Sequence, residues 1–304
     1  MIGKTNVGGG GSGDYGWGQY TDSSQITFLG FVTSNKADAY PDDGTKGGKY
    51  YVKISQPDPT WMVTWSGGTD AQIVTMLDYA YTYGIDLSQY WSVGDERTVA
   101  LSSMAATGVG ESHAAQNITL VLMNHGGKTL SDGTTACQFI VGQKQIFNYS
   151  ANSLEPGYMN SSNTNTGGWS SSQRRTWCNN IYYNAMPSTL QPIFKQFINT
   201  TGVGGGATSG LQTTTDYFAL PAEKEIFGSS TYSQSDEAAA LTQFTYYATS
   251  VNRIKYYSSS SASYWWERSP RSGISYNFCI VGIDGSADNR IASATFGLAP
   301  FGCI

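Results

Sequence analysis

The sequence predicts an α+β domain preceded by a small β-rich N-terminal unit, and three observations lead there. The chain of 304 residues is poor in charge (13%) and rich in aromatic residues (13%), Gly (36) and Tyr (21). That composition suits packed strands and loops, and neither disorder nor a long helical bundle. Helical periodicity is confined to two stretches, whereas short runs of β-branched and aromatic residues recur without the regular strand and helix alternation of a parallel sheet. No repeat of solenoid period is present. The length exceeds the usual single-domain size, which calls for one domain plus an appendage.

Taken in order, residues 1–19 carry Gly8-Gly9-Gly10-Gly11-Ser12-Gly13 and read as a flexible segment. Residues 20–66 read as a small antiparallel attachment unit. Its strands are Ile26–Thr33 and Gly48–Ser55, separated by the turn signal Pro41-Asp42-Asp43-Gly44, with Trp61–Trp65 as a further strand. A linking helix occupies 67–84: Asp70 heads it, Ile73, Met76, Leu77, Ala80 and Tyr81 share one face, and Gly84 stands at the C-cap. The main domain then runs from 85 to 304. Arg97–Leu101, Asn117–Asn124 and Cys137–Val141 read as strands. Ser171–Met186 reads as a helix that turns Trp177, Cys178, Ile181, Tyr182 and Ala185 inward and stops at Pro187. Thr201–Gly210 and Ser258–Ser263 have the composition of unstructured surface loops.

Several function classes fall away. With a net charge of −5 and no basic run beyond Arg174-Arg175, the chain lacks the electrostatic footprint of a nucleic-acid binder. No apolar stretch reaches the roughly 20 residues of a membrane span. Met1-Ile2-Gly3-Lys4 leads straight into glycine without a signal-peptide core, so synthesis and folding in a bacterial cytoplasm are expected. Cys137, Cys178, Cys279 and Cys303 have no Cys-x-x-Cys spacing and read as buried free thiols.

Gly3-Lys4-Thr5 lacks the strand and the upstream glycine of a phosphate loop. His113 and His125 lie in different elements without carboxylates at ligand spacing, so neither metal nor cofactor is expected. Glu223 and Glu225, two residues apart at a helix start, diverge and read as structural. Glu267 and Arg268, beside Trp265 and Trp266, read as a buried or half-buried ion pair, and Arg174 and Arg175 as partners for acids of the same domain. No nucleophile stands with a base, and no carboxylate pair of a glycan depolymerase is found, so the chain does not read as an enzyme.

The last forty residues carry the functional signal. A rigid aromatic entry, Tyr264-Trp265-Trp266-Glu267-Arg268-Ser269-Pro270, and an apolar exit, Gly297–Ile304, enclose a mixed segment. From Arg271 to Phe296 that segment blends aromatic, charged and small polar residues as antibody loops do. Upstream, Phe218-Ala219-Leu220-Pro221-Ala222-Glu223-Lys224-Glu225-Ile226 resembles the Leu-Pro-x-Glu-x-Glu segment of proteins with the formylglycine-generating-enzyme variant of the C-type lectin fold. Pro221 suits a first helical turn, and the two acids suit its positive end.

Further segments follow in the same order: Tyr90-Trp91-Ser92-Val93-Gly94-Asp95, Tyr158-Met159-Asn160, Gly167-Gly168-Trp169 and Arg174-Arg175-Thr176-Trp177-Cys178-Asn179. Together with the clamps they resemble a domain common in phages and prophages of gut bacteria, over about residues 85 to 304. Some of its members are variable proteins of diversity-generating retroelements.

The resemblance implies a C-type lectin-like domain in a phage tail-associated receptor-binding or adhesin protein of the virion. It would face a host-cell surface protein or glycan, with the N-terminal unit attached to other virion proteins; a trimeric homo-oligomer would suit a fibre tip. The ligand-binding set it implies is Arg271, Gly273, Ile274, Tyr276, Asn277, Ile280, Gly282, Asp284, Ser286, Asp288, Asn289, Arg290, Ile291, Ser293 and Phe296. Phe278, Cys279, Val281, Gly285, Ala287 and Ala292 would be scaffold. Strand alternation agrees: Phe278 inward puts Asn277 outward, and Val281 inward puts Ile280 and Gly282 outward.

Two family chemistries are missing. Glu155-Pro156-Gly157 lacks the third ligand side chain of calcium-dependent sugar binding, and Cys279 and Cys303 lie too far apart in sequence for the oxidase reaction. The alternative to display is a purely structural capsid or tail decoration, with the same segment packed on a neighbouring subunit.

Overall fold

The computed structural model describes residues 17–20, 39–40, 50–53, 63–105, 112–147, 157–257 and 261–304. The chain divides into two compact units, Met1–Thr64 with Asp78–Asp86, and Trp65–Leu77 with Leu87–Ile304. The protein is mixed α and β, built from several small antiparallel sheets.

In the first unit, β1 (Trp17–Tyr20), β2 (Ala39–Tyr40) and β3 (Tyr50–Lys53) form an antiparallel sheet of order β1-β3-β2. Strand β3 lies within the expected Gly48–Ser55 run, but the first three residues of β1 fall inside the segment expected to be flexible. Ile26–Thr33, Gly3-Lys4-Thr5 and Glu155-Pro156 lie outside the described residues. The expected strand Trp61–Trp65 is corrected where it is described: residues 63–65 are not extended into a sheet. Trp65 is instead core of the larger unit, 5.5 Å from the Trp91 ring, with its carbonyl accepting from Arg97.

Helix α1 spans Asp70–Tyr83. Thr69, not Asp70, caps it: the Thr69 hydroxyl accepts from Gln72 N–H and the Gln72 side chain accepts from Thr69 N–H, a reciprocal capping box. This leaves Asp70 to pair with Arg97 and to accept from Thr189 at 2.6 Å. The helix ends at Gly84, whose φ of +69° is the left-handed conformation a non-glycine residue resists.

The main sheet is five-stranded with order β4-β5-β6-β15-β9, where β4 is Glu96–Leu101, β5 Gln116–His125, β6 Phe139–Gln143, β9 Phe218–Ala219 and β15 Phe301–Cys303. Its pairs are antiparallel. The C-terminal strand β15 is therefore an interior strand, bonded to β6 through Phe301↔Gly142 and to β9 through Phe301↔Ala219. Phe301 packs between Phe197 (5.4 Å) and Phe244 (5.2 Å). This insertion explains the apolar exit of the sequence: all residues from Gly297 to Ile304 are buried.

The second helical stretch is continuous over 173–185 but not uniform. It comprises α2 (Gln173–Trp177), a π segment at Cys178–Tyr182 and α3 (Tyr183–Ala185). Ser172 caps it by accepting from Arg175 N–H, and Trp177, Cys178, Tyr182 and Ala185 are buried as expected, whereas Ile181 is half-buried.

The loop expected at Thr201–Gly210 is partly strand. β7 (Phe197–Gly202) pairs with β8 (Leu211–Asp216), and Thr201 is buried. The connecting turn is tight, since a side chain on Gly204 would lie 1.9 Å from the Asn165 carbonyl oxygen. Ala262–Ser263, also expected to be loop, forms β11 against β10 (Lys255–Tyr256). Short helices α4 (Glu223–Phe227), α5 (Ser235–Ala240) and α6 (Thr245–Ala248) separate β9 from β10. Among the described residues no helix is long and apolar enough to cross a membrane.

Candidate functional site

The segment singled out in the sequence folds as a three-stranded antiparallel sheet of order β12-β13-β14: β12 is Trp265–Pro270, β13 Asn277–Val281 and β14 Ala287–Ile291. Every residue of β12 is buried, so the aromatic entry is a frame. Trp266 donates its indole N–H to the Gly157 carbonyl at 2.7 Å, and Trp265 donates to the Arg253 carbonyl at 2.9 Å.

Below β12 lies an ion cluster. Arg268 forms a forked pair with Glu225, whose other partner is Lys128, and all three are buried. Burial alone would raise Glu225, but Arg268 and then Lys128 outweigh it and hold the carboxyl at about 2. The expected Glu267 and Arg268 pair is corrected. Adjacent strand residues point to opposite faces, so Arg268 reaches Glu225 while the Glu267 carboxyl makes no hydrogen bond among the described residues. Burial, reinforced by Glu223 and Glu237, raises Glu267 well above the carboxylate range and keeps it neutral.

Glu223 accepts from the N–H groups of Thr231, Tyr232 and Ser233, and Glu225 also accepts from Ala222 N–H. The two glutamates diverge as expected, though Pro221 precedes the Ala222 cap and does not occupy the first helical turn.

The loop between β12 and β13 is held by Asn165, which is buried. Its amide donates to the carbonyls of Ile274 (2.7 Å) and Asn277 (2.6 Å), and its oxygen accepts from Gly205 N–H (2.8 Å). Around this peg Gly273 and Tyr276 are exposed and Ile274 is half-buried. Arg271 lies over the Tyr232 ring at 5.4 Å and donates to Asn289 Oδ1 at 2.7 Å, where Asn277 also donates.

The β13–β14 turn is built by Asp284, which accepts from the N–H and hydroxyl of Ser286, and both residues are exposed. Arg290 pairs with Asp288 at 2.8 Å and lies 5.8 Å over the Tyr264 ring. Ser293 is half-buried and donates to Asn163. Phe296 is half-buried against Trp266 (5.1 Å) and Tyr264 (5.5 Å), so it belongs partly to the frame.

Three members of the expected outward set are corrected: Ile280 is fully buried, and Gly282 and Asn289 are buried. Strand β13 is covered on both faces, so alternation no longer separates inside from outside, and Phe278, Cys279, Ile280 and Val281 are all core. Conversely Ile283, placed in neither set, is 49% exposed, alongside Tyr276 at 45% and Ile291 at 41%. Its signal in the sequence was its position between Gly282 and Asp284, inside a turn.

The remaining candidates are structural. Arg175 pairs with the buried Asp216 at 2.6 Å as expected, while Arg174 donates to the Tyr158 carbonyl and lies 5.0 Å over the Trp177 ring. His113 is buried against Phe147, and burial together with Arg174 lowers it to about 4; His125 stands apart, against Phe139. Among the described residues no group of three or more His, Cys, Asp or Glu is placed to hold a metal ion. The four thiols are free and buried.

These features define an α+β domain that presents a hairpin and its flanking loops on a fully buried aromatic frame. The chain belongs to the family described as a domain of unknown function (DUF6273), whose sequence pattern matches residues 142–304. No curated protein and no solved structure matches the chain.

Proposed function

We propose that this chain is a non-enzymatic recognition protein of the C-type lectin-like class, tail-associated on a phage virion. In this reading it presents the surface of residues 271–296 to a protein or glycan of a host cell. The observation that carries the reading is the contrast within one short sheet. β12 is wholly buried, whereas the adjoining loops and the outer strand expose Tyr276, Ile283 and Ile291, large apolar groups that gain nothing from contact with water, beside the charged Arg290. The motif series that resembles phage and prophage proteins supports the same reading, and so does the separation of frame from display, which lets outward residues change without repacking the core. Attachment through the N-terminal unit and multiplication of weak contacts by oligomerisation complete the proposal.

The test is attachment to host cells by the full chain and by a Tyr276→Ala, Arg290→Ala, Ile291→Ala triple variant. Ile291 is used because Phe296 also packs the frame. Attachment should be lost while the melting midpoint moves by only a few degrees, as exposed substitutions cost about 0.5 kcal/mol or less each. Undiminished attachment by the variant would refute the reading. Incorporation into virions without any attachment by the unmodified chain would favour a decoration protein. A near-copy of the last codons differing at adenines, beside a reverse-transcriptase gene, is the expected genomic mark if the segment is diversified.

A further inference from the structure

A depression in the main domain is lined by residues outside the segment 271–296 and has a different chemistry. It holds about 230 Å³ and is lined by Arg175, Thr176, Asn179, Asn180, Gln196, Thr215 and Tyr217. The first four come from the helix over 173–185, Gln196 precedes β7, Thr215 is the penultimate residue of β8 and Tyr217 follows that strand. None belongs to the segment 271–296.

Asn179 and Asn180 sit in the π segment, where the widened turn departs from helical spacing; such segments are costly and concentrate at functional positions. Here the widening has a visible consequence. Asn179 donates to the carbonyls of Arg175 and Phe218 and to Asp216, and accepts from Tyr217 N–H, which ties the helix to the end of β8 and leaves its amide committed. Asn180, one residue on, is exposed at the rim, as are Thr176, Gln196 and Thr215.

The charge balance decides the ligand class. Asp216 is buried and accepts from Trp169, Arg175, Asn179, Asn199 and Thr214, so it offers nothing to a ligand while it neutralises Arg175. What remains for a ligand is the amides of Asn180 and Gln196 and the hydroxyls of Thr176, Thr215 and Tyr217, each able to donate and accept, while the Tyr217 ring is held by stacking on Tyr183 at 4.3 Å. An uncharged ring carrying several hydroxyls matches that inventory, since it needs paired donors and acceptors at its edge. The volume lies below the roughly 300–1,000 Å³ of drug-sized sites, which limits the occupant to a single ring.

We infer that this depression is a binding site for one neutral pyranose unit of a glycan, separate from the display surface and independent of it. The order imposed by Asn179 fixes the rim before binding, so recognition requires no rearrangement of the helix.

The experiment is saturation-transfer NMR on the full chain with the methyl glycosides of glucose, galactose, mannose, N-acetylglucosamine and glucuronic acid at millimolar concentration. At least one neutral glycoside should receive saturation. The signal should fall at least tenfold in an Asn180→Ala, Gln196→Ala double variant, whose two exposed positions leave the fold intact. It should persist in the Tyr276→Ala, Arg290→Ala, Ile291→Ala variant. No transfer to any neutral glycoside, transfer to the glucuronide alone, or a signal that survives the double variant would each overturn the assignment. Loss of cell attachment in the display variant with the glycoside signal retained would separate the two sites.

Discussion

Glu225 offers the sharpest test of how the buried strand β12 is held. Replacing it by Gln keeps the side-chain shape but removes the one carboxylate shared by Arg268 and Lys128, leaving two buried cations facing a neutral amide. Breaking a buried ion pair from one side costs about 3–5 kcal/mol, because the surviving charge has lost both its solvent and its partner. For a domain of this size that is a fall in melting midpoint on the order of 6–20 °C.

The control is Lys128→Met, which fills similar space and leaves the forked Arg268 and Glu225 pair intact; its cost should be less than half as large. The pH dependence adds a second arm. Burial lowers Lys128, and without Glu225 it falls further, so the folded Glu225→Gln variant holds fewer protons than the unfolded chain. Its stability deficit should therefore shrink as pH rises toward about 10.5. Urea unfolding of the three proteins at pH 7 and pH 10 measures both. A deficit below about 1 kcal/mol at pH 7, or one that does not change with pH, would refute the cluster as the anchor of β12.

Three other outcomes are expected. Burial raises Glu237 to about 7, against attraction by Arg268 and bonds from Ser269 and Gly202. Its share of stability is therefore complete below about 4.5 and lost as pH rises to about 7, an effect of about 3 kcal/mol. Glu237→Gln, which mimics the protonated acid, should gain on the parent chain across that window in thermal melts, and parallel profiles would remove Glu237 as the cause. Asn165→Ala strands two carbonyls and one N–H and should cost about 2–4 kcal/mol, with faster amide exchange between residues 271 and 277; unchanged exchange would mean the loop stands without its peg. All four thiols should resist a water-soluble disulfide reagent in the folded chain and react after denaturation, which mass spectrometry reads directly; labelling of the native protein at any of them would contradict their burial.

Much of the local structure was legible in the chain. Ile73, Met76, Leu77 and Ala80 on the face of α1 (though Tyr79 is buried and Tyr81 only half-buried), the Gly84 cap, the inward aromatic face of the 173–185 helix and the burial of the thiols follow from periodicity and from side-chain size, which are properties of neighbouring residues. The Thr69 and Gln72 capping box was equally present in the letters, and Asp70 concealed it by being a good first-turn residue itself. The strands at the end of the presumed loop 201–210 were hidden by their glycines and threonines, whose pairing depends on a partner strand nine or more residues away.

What the sequence by itself determined is the alphabet of the site: an aromatic frame, an apolar terminal strand, and between them a mixture of aromatic, charged and small polar residues. Only the tertiary structure decided which of those residues meet water. Ile280 reads as outward by alternation and is buried because β13 is covered from both sides, a condition set by elements far away in the chain; Asn289, outward only in the set the resemblance implies, is buried on β14 as well. The same holds for Glu225, whose partners lie 97 and 43 residues off, and for the polar depression, assembled from a widened helical turn and the end of a hairpin. Local pattern fixes which way a side chain leaves the backbone; what it then encounters is a matter of packing, and packing is settled only when distant segments arrive.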